Sequence, residues 1–157
     1  MPCKSAFARL EGAVLVSACL VGIQCRYDGS SNIHRSILKI PGIVLIPICP
    51  EQLGGLATPR PSAHLVGGDG QRVVGGKAQV ITEQGQAVTA AFLLGASQAV
   101  KIARILRARY AILKERSPSC GTHAIWIGGH LKDGLGVTAA MLSAQGVCIM
   151  NEDGLLL

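Results

Sequence analysis

The chain has 157 residues, of which 49% are hydrophobic and 15% charged, a balance that suits one packed domain and excludes disorder over most of the length. Gly is abundant at 20 residues and aromatic residues make up only 3%, so the expected core is aliphatic, with tight turns around it. A net charge of +6 favours an anionic partner, but one Trp, two Tyr and two Phe are too few for the stacking platforms of single-strand nucleic-acid binders, so a nucleic-acid partner is not expected.

Residues 1–12 precede the first apolar run and lack the apolar centre of a secretory signal; they read as an N-terminal extension to one α/β domain over 13–157. Residues 13–17 read as the first strand, 43–46 as the second, 110–113 as the third and 146–150 as the fourth. Each is a branched aliphatic run without polar alternation, the pattern of parallel strands covered on both faces. A helix over 31–40 is expected between the first two strands. After the second strand, residues 52–86 break the rhythm with clustered Gly and Pro. They read as a Gly-rich flap containing a hairpin over 72–81 that turns at Gly75-Gly76. The clearest helix runs over 89–109, with Phe92, Ala96, Ala99, Val100, Ala103 and Leu106 on one stripe and Lys101, Arg104 and Arg107 opposite. A shorter helix over 136–144 precedes the last strand. This order predicts an α/β fold with an open, mainly parallel sheet flanked by helices, a Rossmann-like three-layer arrangement.

No run of about 18 consecutive apolar residues occurs, so no membrane partner is expected. In the cytoplasmic setting this implies, six cysteines point to metal binding or catalysis rather than disulfides. Three of them, Cys19, Cys49 and Cys120, follow the first, second and third strands. Adjacent strands lie only about 4.8 Å apart, and ligands of such sheets bind beyond the carboxyl ends of the strands. Three thiols meeting there form a soft-metal site, for zinc if a fourth Cys or a His joins them, or for an iron–sulfur cluster with one iron left open. No Cys-x-x-Cys pair decides between these. Cys25 reads as a spare ligand or a neighbouring thiol, Cys148 as a small buried hydrophobe and Cys3 as an incidental exposed thiol.

Other polar residues carry weaker signals. Arg26, Tyr27 and Asp28 form a turn loop able to line a pocket. Arg60, between two prolines, reads as an anchor of the flap. The four histidines have no metal spacing and read as surface or loop residues. Lys114-Glu115-Arg116 reads as a solvated charge run. Gly134-Leu-Gly136 reads as a helix start whose amides face an anion.

Five segments taken together resemble one known family. They are Ser17-Ala-Cys-Leu-Val-Gly-Ile-Gln-Cys-Arg-Tyr-Asp-Gly29, Cys49-Pro-Glu-Gln-Leu-Gly-Gly55, Thr58-Pro-Arg-Pro61, Lys114-Glu-Arg-Ser-Pro-Ser-Cys-Gly121 and Gly136-Val-Thr-Ala-Ala140. In this order they are similar to the hallmark segments of the 2-thiouracil desulfurase (TudS) family, over nearly the whole chain. The resemblance implies a 4Fe-4S cluster held by Cys19, Cys49 and Cys120, with one open iron. It implies non-redox removal of sulfur from a small thiolated pyrimidine base; the physics of such a site would put the substrate sulfur on the open iron, with water attacking the ring carbon. Glu51 is then the catalytic acidic residue and Ser117, ahead of Ser119, the catalytic serine. Asp28 and Ser119 are candidate substrate-binding residues. A rival reading from the residues alone is a non-catalytic iron–sulfur or zinc carrier, or a module docking onto thiolated RNA through the basic stretch 101–116.

Overall fold

The computed structural model describes residues 6–157; Cys3 lies outside them. The order of elements is β1 (Gly12–Ser17), β2 (Ile43–Ile48), α1 (Pro50–Leu53), β3 (Ala63–Val66), α2 (Gly70–Val74), β4 (Gln79–Thr82), α3 (Thr89–Leu106), β5 (Tyr110–Leu113), β6 (Ala124–Ile127), β7 (His130–Asp133), α4 (Val137–Ala144) and β8 (Cys148–Asn151). The four strands expected from the aliphatic runs form one parallel sheet in the order β2-β1-β5-β8. Alternation within it fills two cores. Leu15, Ala111, Leu113 and Ile149 face α3 and α4, where Ala99, Val100, Ala103, Ala139 and Leu142 receive them. Val14, Val16, Ile112 and Met150 face the opposite layer with Leu20, Cys25 and Ile37. Phe7, in a 3-10 turn (Ala6–Arg9), packs against that same layer.

That opposite layer holds the first correction. Residues 31–40 contain only a 3-10 turn, Ile37–Lys39, instead of a helix. The amides of Asn32 and His34 donate to the carbonyls of Cys19 and Leu20 at 2.9 and 2.8 Å, so they are spent on the loop after β1 and not on an i−4 ladder.

The second correction concerns the flap. It belongs to a separate four-stranded sheet, ordered β4-β3-β6-β7, that the sequence reading lacks. Residues 72–81 are no hairpin. The Asp69 carboxylate accepts the amides of Gln71 and Arg72 and starts α2, and Gly75-Gly76 end that helix. β4 then pairs antiparallel with β3, while β3 meets β6 in parallel at Leu65 and Ile127. Phe92, Ala96 and Val137 pack under this sheet, so α3 serves both sheets. By length and composition α3 would suffice to cross a membrane; here its buried residues are covered by the two sheets and α4.

Candidate functional site

Three strand ends build one wall of a cavity of about 640 Å³. β1 stops at Ser17, and the chain turns at once through a 3-10 turn, Ala18–Val21, closed by Gly22 at φ +95°, a value that glycine adopts without strain. This places Cys19 under the end of β1. β2 runs into Cys49, the residue capping α1, with Pro50 at the first helical position and Glu51 in the first turn. β5 runs into the 117–121 turn that carries Cys120. The ends of β1 and β5 are tied by the Lys114 amide, which donates to the Ser17 hydroxyl at 2.9 Å.

The 117–121 turn is held from two sides. The Ser117 hydroxyl oxygen accepts the amides of Ser119 and Cys120 at 3.3 and 3.1 Å. From the other side, the start of α4 grips it. The amide of Val137 donates to Pro118 O, and those of Thr138 and Ala139 to Ser119 O. The amides expected to face an anion therefore clamp the cysteine turn. Gly136 has no room for a side chain there, since a Cβ would lie 2.5 Å from Ser119 carbonyl atoms.

Cys19, Cys25, Cys49 and Cys120 all line the cavity, together with Ser17, Glu51, Ser117 and Ser119. Asp28 is not among the lining residues. It closes its own turn by accepting the Ser30 amide and hydroxyl at 3.0 and 2.5 Å, and the Ser30 hydroxyl is the main cause of a carboxyl held below its ordinary range. Its neighbours Arg26 and Tyr27 do line the cavity.

The thiols influence one another. Hydrogen bonding to Cys25, then burial, pushes the Cys49 thiol far up, and a hydrogen bond with Cys19 is the main cause that raises Cys25. Burial pushes Cys120 up to about 12, against the lowering effect of the Ser17 and Ser119 hydroxyls. These are protonated thiols in the metal-free chain, and a soft metal binds by displacing their protons. Among the described residues no three Cys, His, Asp or Glu close around a point as a single ion requires. The thiols edge a wide cavity instead. Thiol donors around a cavity of this size suit a soft metal or an iron–sulfur group.

Glu51 is in place but not alone. Its Oε2 receives Nε of Arg60 at 3.1 Å and also Nη2 of Arg60. The two side chains are only 15% and 6% exposed. Arg60 anchors the flap, as expected of it. Its pairing with Glu51 has no signal in the sequence beyond the flanking prolines.

Four further expectations need correction. Glu115 is no solvated charge. Its Oε1 accepts the amides of Thr122, His123 and Ala124, each at 3.0 Å, and its Oε2 accepts the Thr122 hydroxyl at 2.7 Å. Burial alone would raise this carboxyl; the Ala124, His123 and Thr122 bonds outweigh it and hold the group far below its ordinary range. Lys114 pairs with Glu152 at 2.6 Å and also lines the cavity, so the basic stretch 101–116 is divided between α3 and the site. His64, on β3, lines the cavity too. Cys148 is exposed, because it begins β8 at the sheet edge.

Residues 14–154 match the family model described as 2-thiouracil desulfurase. The uncharacterized protein YbbK of Bacillus subtilis (strain 168) is 42% identical over 149 residues, which cover 90% of this chain and 97% of YbbK. A solved structure of the 4Fe-4S-dependent thiouracil desulfidase TudS superposes with a TM-score of 0.74 at 35% identity, over 91% of this chain and 92% of TudS.

Proposed function

The chain belongs to the 2-thiouracil desulfurase family, and from that premise we propose that it hydrolyses the carbon–sulfur bond of a thiolated pyrimidine base at the cavity described above. Overall, the thiocarbonyl and water give the carbonyl and hydrogen sulfide, with no change in oxidation state. The observation that carries this reading is the meeting of Cys19, Cys49, Cys120, Glu51 and Ser117 on one cavity from three separate strand ends. Cys19, Cys49 and Cys120 would hold a 4Fe-4S cluster, which supplies a soft Lewis acid at the iron they leave free.

The chain itself supplies the proton transfers. Oε1 of Glu51 is the oxygen not engaged by Arg60, and it takes a proton from the attacking water and returns one to the departing sulfur. The Ser117 oxygen already accepts two amides, so its own O–H is its donor; in the free chain it faces Ser119 Oγ at 3.1 Å, and it would turn from there to a ring nitrogen or exocyclic oxygen of the base. Ser119, 3% exposed, turns its hydroxyl to the Cys120 sulfur at 3.7 Å and steadies that thiolate more than the base. Asp28 holds the turn that presents Arg26 and Tyr27. A cytoplasmic setting, where thiols stay reduced, suits such a site.

The test is an anaerobic preparation assayed for iron, acid-labile sulfide and sulfide release from 2-thiouracil. The expected result is a cluster-bearing chain that turns over many times. Glu51→Gln should keep its iron and lose about two to four orders of magnitude in turnover, the usual contribution of a general acid–base group. A Glu51→Gln protein as fast as the parent removes Glu51 from the mechanism. A cluster-bearing parent that releases no sulfide favours the carrier reading.

A further inference from the structure

We infer that Arg60 is the positioning residue of this site, acting on the reaction through Glu51; the inference rests on the desulfurase reading above. All three guanidinium nitrogens of Arg60 are engaged. Nε and Nη2 both donate to Oε2 of Glu51, Nη2 also donates to Cys25 O at 2.9 Å, and Nη1 donates to Ala57 O at 3.2 Å and Thr58 Oγ1 at 2.9 Å. The Arg60 amide adds a bond to Tyr27 O at 2.8 Å. One nearly buried side chain thus joins the loop after β1, the start of α1 and the flap.

The geometry has a chemical consequence. A free glutamate spins its carboxylate and offers either oxygen. Here both bonds from Arg60 land on Oε2, which fixes the plane of the group and leaves Oε1 as its reactive oxygen. A planar fork does this and a lysine does not, because an ammonium is a point charge on a flexible stem. Glu51 and Arg60, with Ala63, line both the main cavity and a smaller one of about 190 Å³ that Leu56, Pro59 and Phe92 also line. Fixing a reacting group within a narrow angular range is worth orders of magnitude in rate and little in substrate binding.

A double-mutant cycle on the cluster-loaded chain tests this, read with Arg60→Ala, Glu51→Gln and the double variant. Arg60→Ala should lower kcat about 10²-fold or more, approaching the Glu51→Gln loss, with KM changed by less than about threefold. The double variant should be no slower than Glu51→Gln alone, since residues acting as one unit are not additive. Iron and sulfide content, and the thermal midpoint of the cluster-free chain, should stay close to the parent's in Arg60→Lys, whose kcat should still fall about tenfold or more because the fork is gone. Additive losses in an active parent overturn the inference alone, as does an Arg60→Lys protein with parental kcat. If Arg60→Ala fails to fold, the cycle is run with Arg60→Lys on the same criteria. A cluster-bearing parent without turnover overturns the desulfurase reading and this inference with it.

Discussion

At the scale of single residues, Cys49 shows how one position serves fold and chemistry. It ends β2, caps α1 and brings its thiol beside that of Cys25. Cys25 is buried in the site while Cys49 is only half-buried, so burial does not separate ligand from neighbour. What separates them is placement: Cys19, Cys49 and Cys120 each leave a different strand of the parallel sheet, whereas Cys25 lies further along the loop from β1. Serine in place of a ligand keeps the size and loses the thiolate. Cys19→Ser, Cys49→Ser and Cys120→Ser should therefore each lose most of their iron when purified anaerobically, while Cys148→Ser, at an exposed edge position, keeps it. Normal iron in any one of the three displaces that residue from the ligand set and makes Cys25 its replacement.

At the scale of elements, the site depends on backbones that approach without side chains between them. α1 lies so close to α3 that a Cβ on Gly95 would sit 1.8 Å from Pro50 O, and one on Gly54 would sit 2.0 Å from Ala91 O. The contact seats Cys49 and Glu51 on the longest helix of the fold. The start of α4 does the same for Cys120, through the carbonyls of Pro118 and Ser119. Gly136→Ala should push the 117–121 turn off α4, costing about 1–3 kcal/mol of stability, as overpacking usually does, and lowering iron content. Gly75→Ala is the control, since its Cβ would meet only ordinary contacts at 3.4 and 3.7 Å. A Gly136→Ala chain with parental iron and stability would refute the clamp.

At the scale of the whole molecule, Glu115 is the suture between the two sheets. It follows β5, accepts the amide of Ala124 at the start of β6, and takes the Asn151 side-chain amide from the end of β8 at 3.3 Å. Its depressed folded-state pKa fixes the sign of a pH effect. A carboxylate favoured in the folded state stabilises fully above its unfolded value near 4.5, and that contribution drains away as pH falls below it. Glu115→Gln should thus lose on the order of 3 kcal/mol at pH 7, where charged hydrogen bonds are broken. The gap between parent and variant in urea midpoint should narrow steadily from pH 4.5 to pH 3. A gap that stays constant over that range would show that the charge of Glu115 is not what joins the sheets.

The sequence by itself determined the parts whose signal is local. The four aliphatic runs specify the parallel strands, largely buried in β1, β5 and β8, whereas β2 at the sheet edge leaves Val44 exposed. The stripe from Phe92 to Ala103 specifies α3 because helical periodicity repeats every turn. The convergence of Cys19, Cys49 and Cys120 follows from those strands, since parallel neighbours end at one edge. Only the tertiary structure decided the rest. The joining of β3 to β6 at Leu65 and Ile127 links segments distant along the chain, while the Arg60–Glu51 pair, the amides around Glu115 and the exposure of Cys148 depend on how turns and sheet edges are packed. Such contacts leave no periodic trace, because a buried arginine or glutamate is spelled like an exposed one, and its partner is fixed only when the sheets and helices have packed.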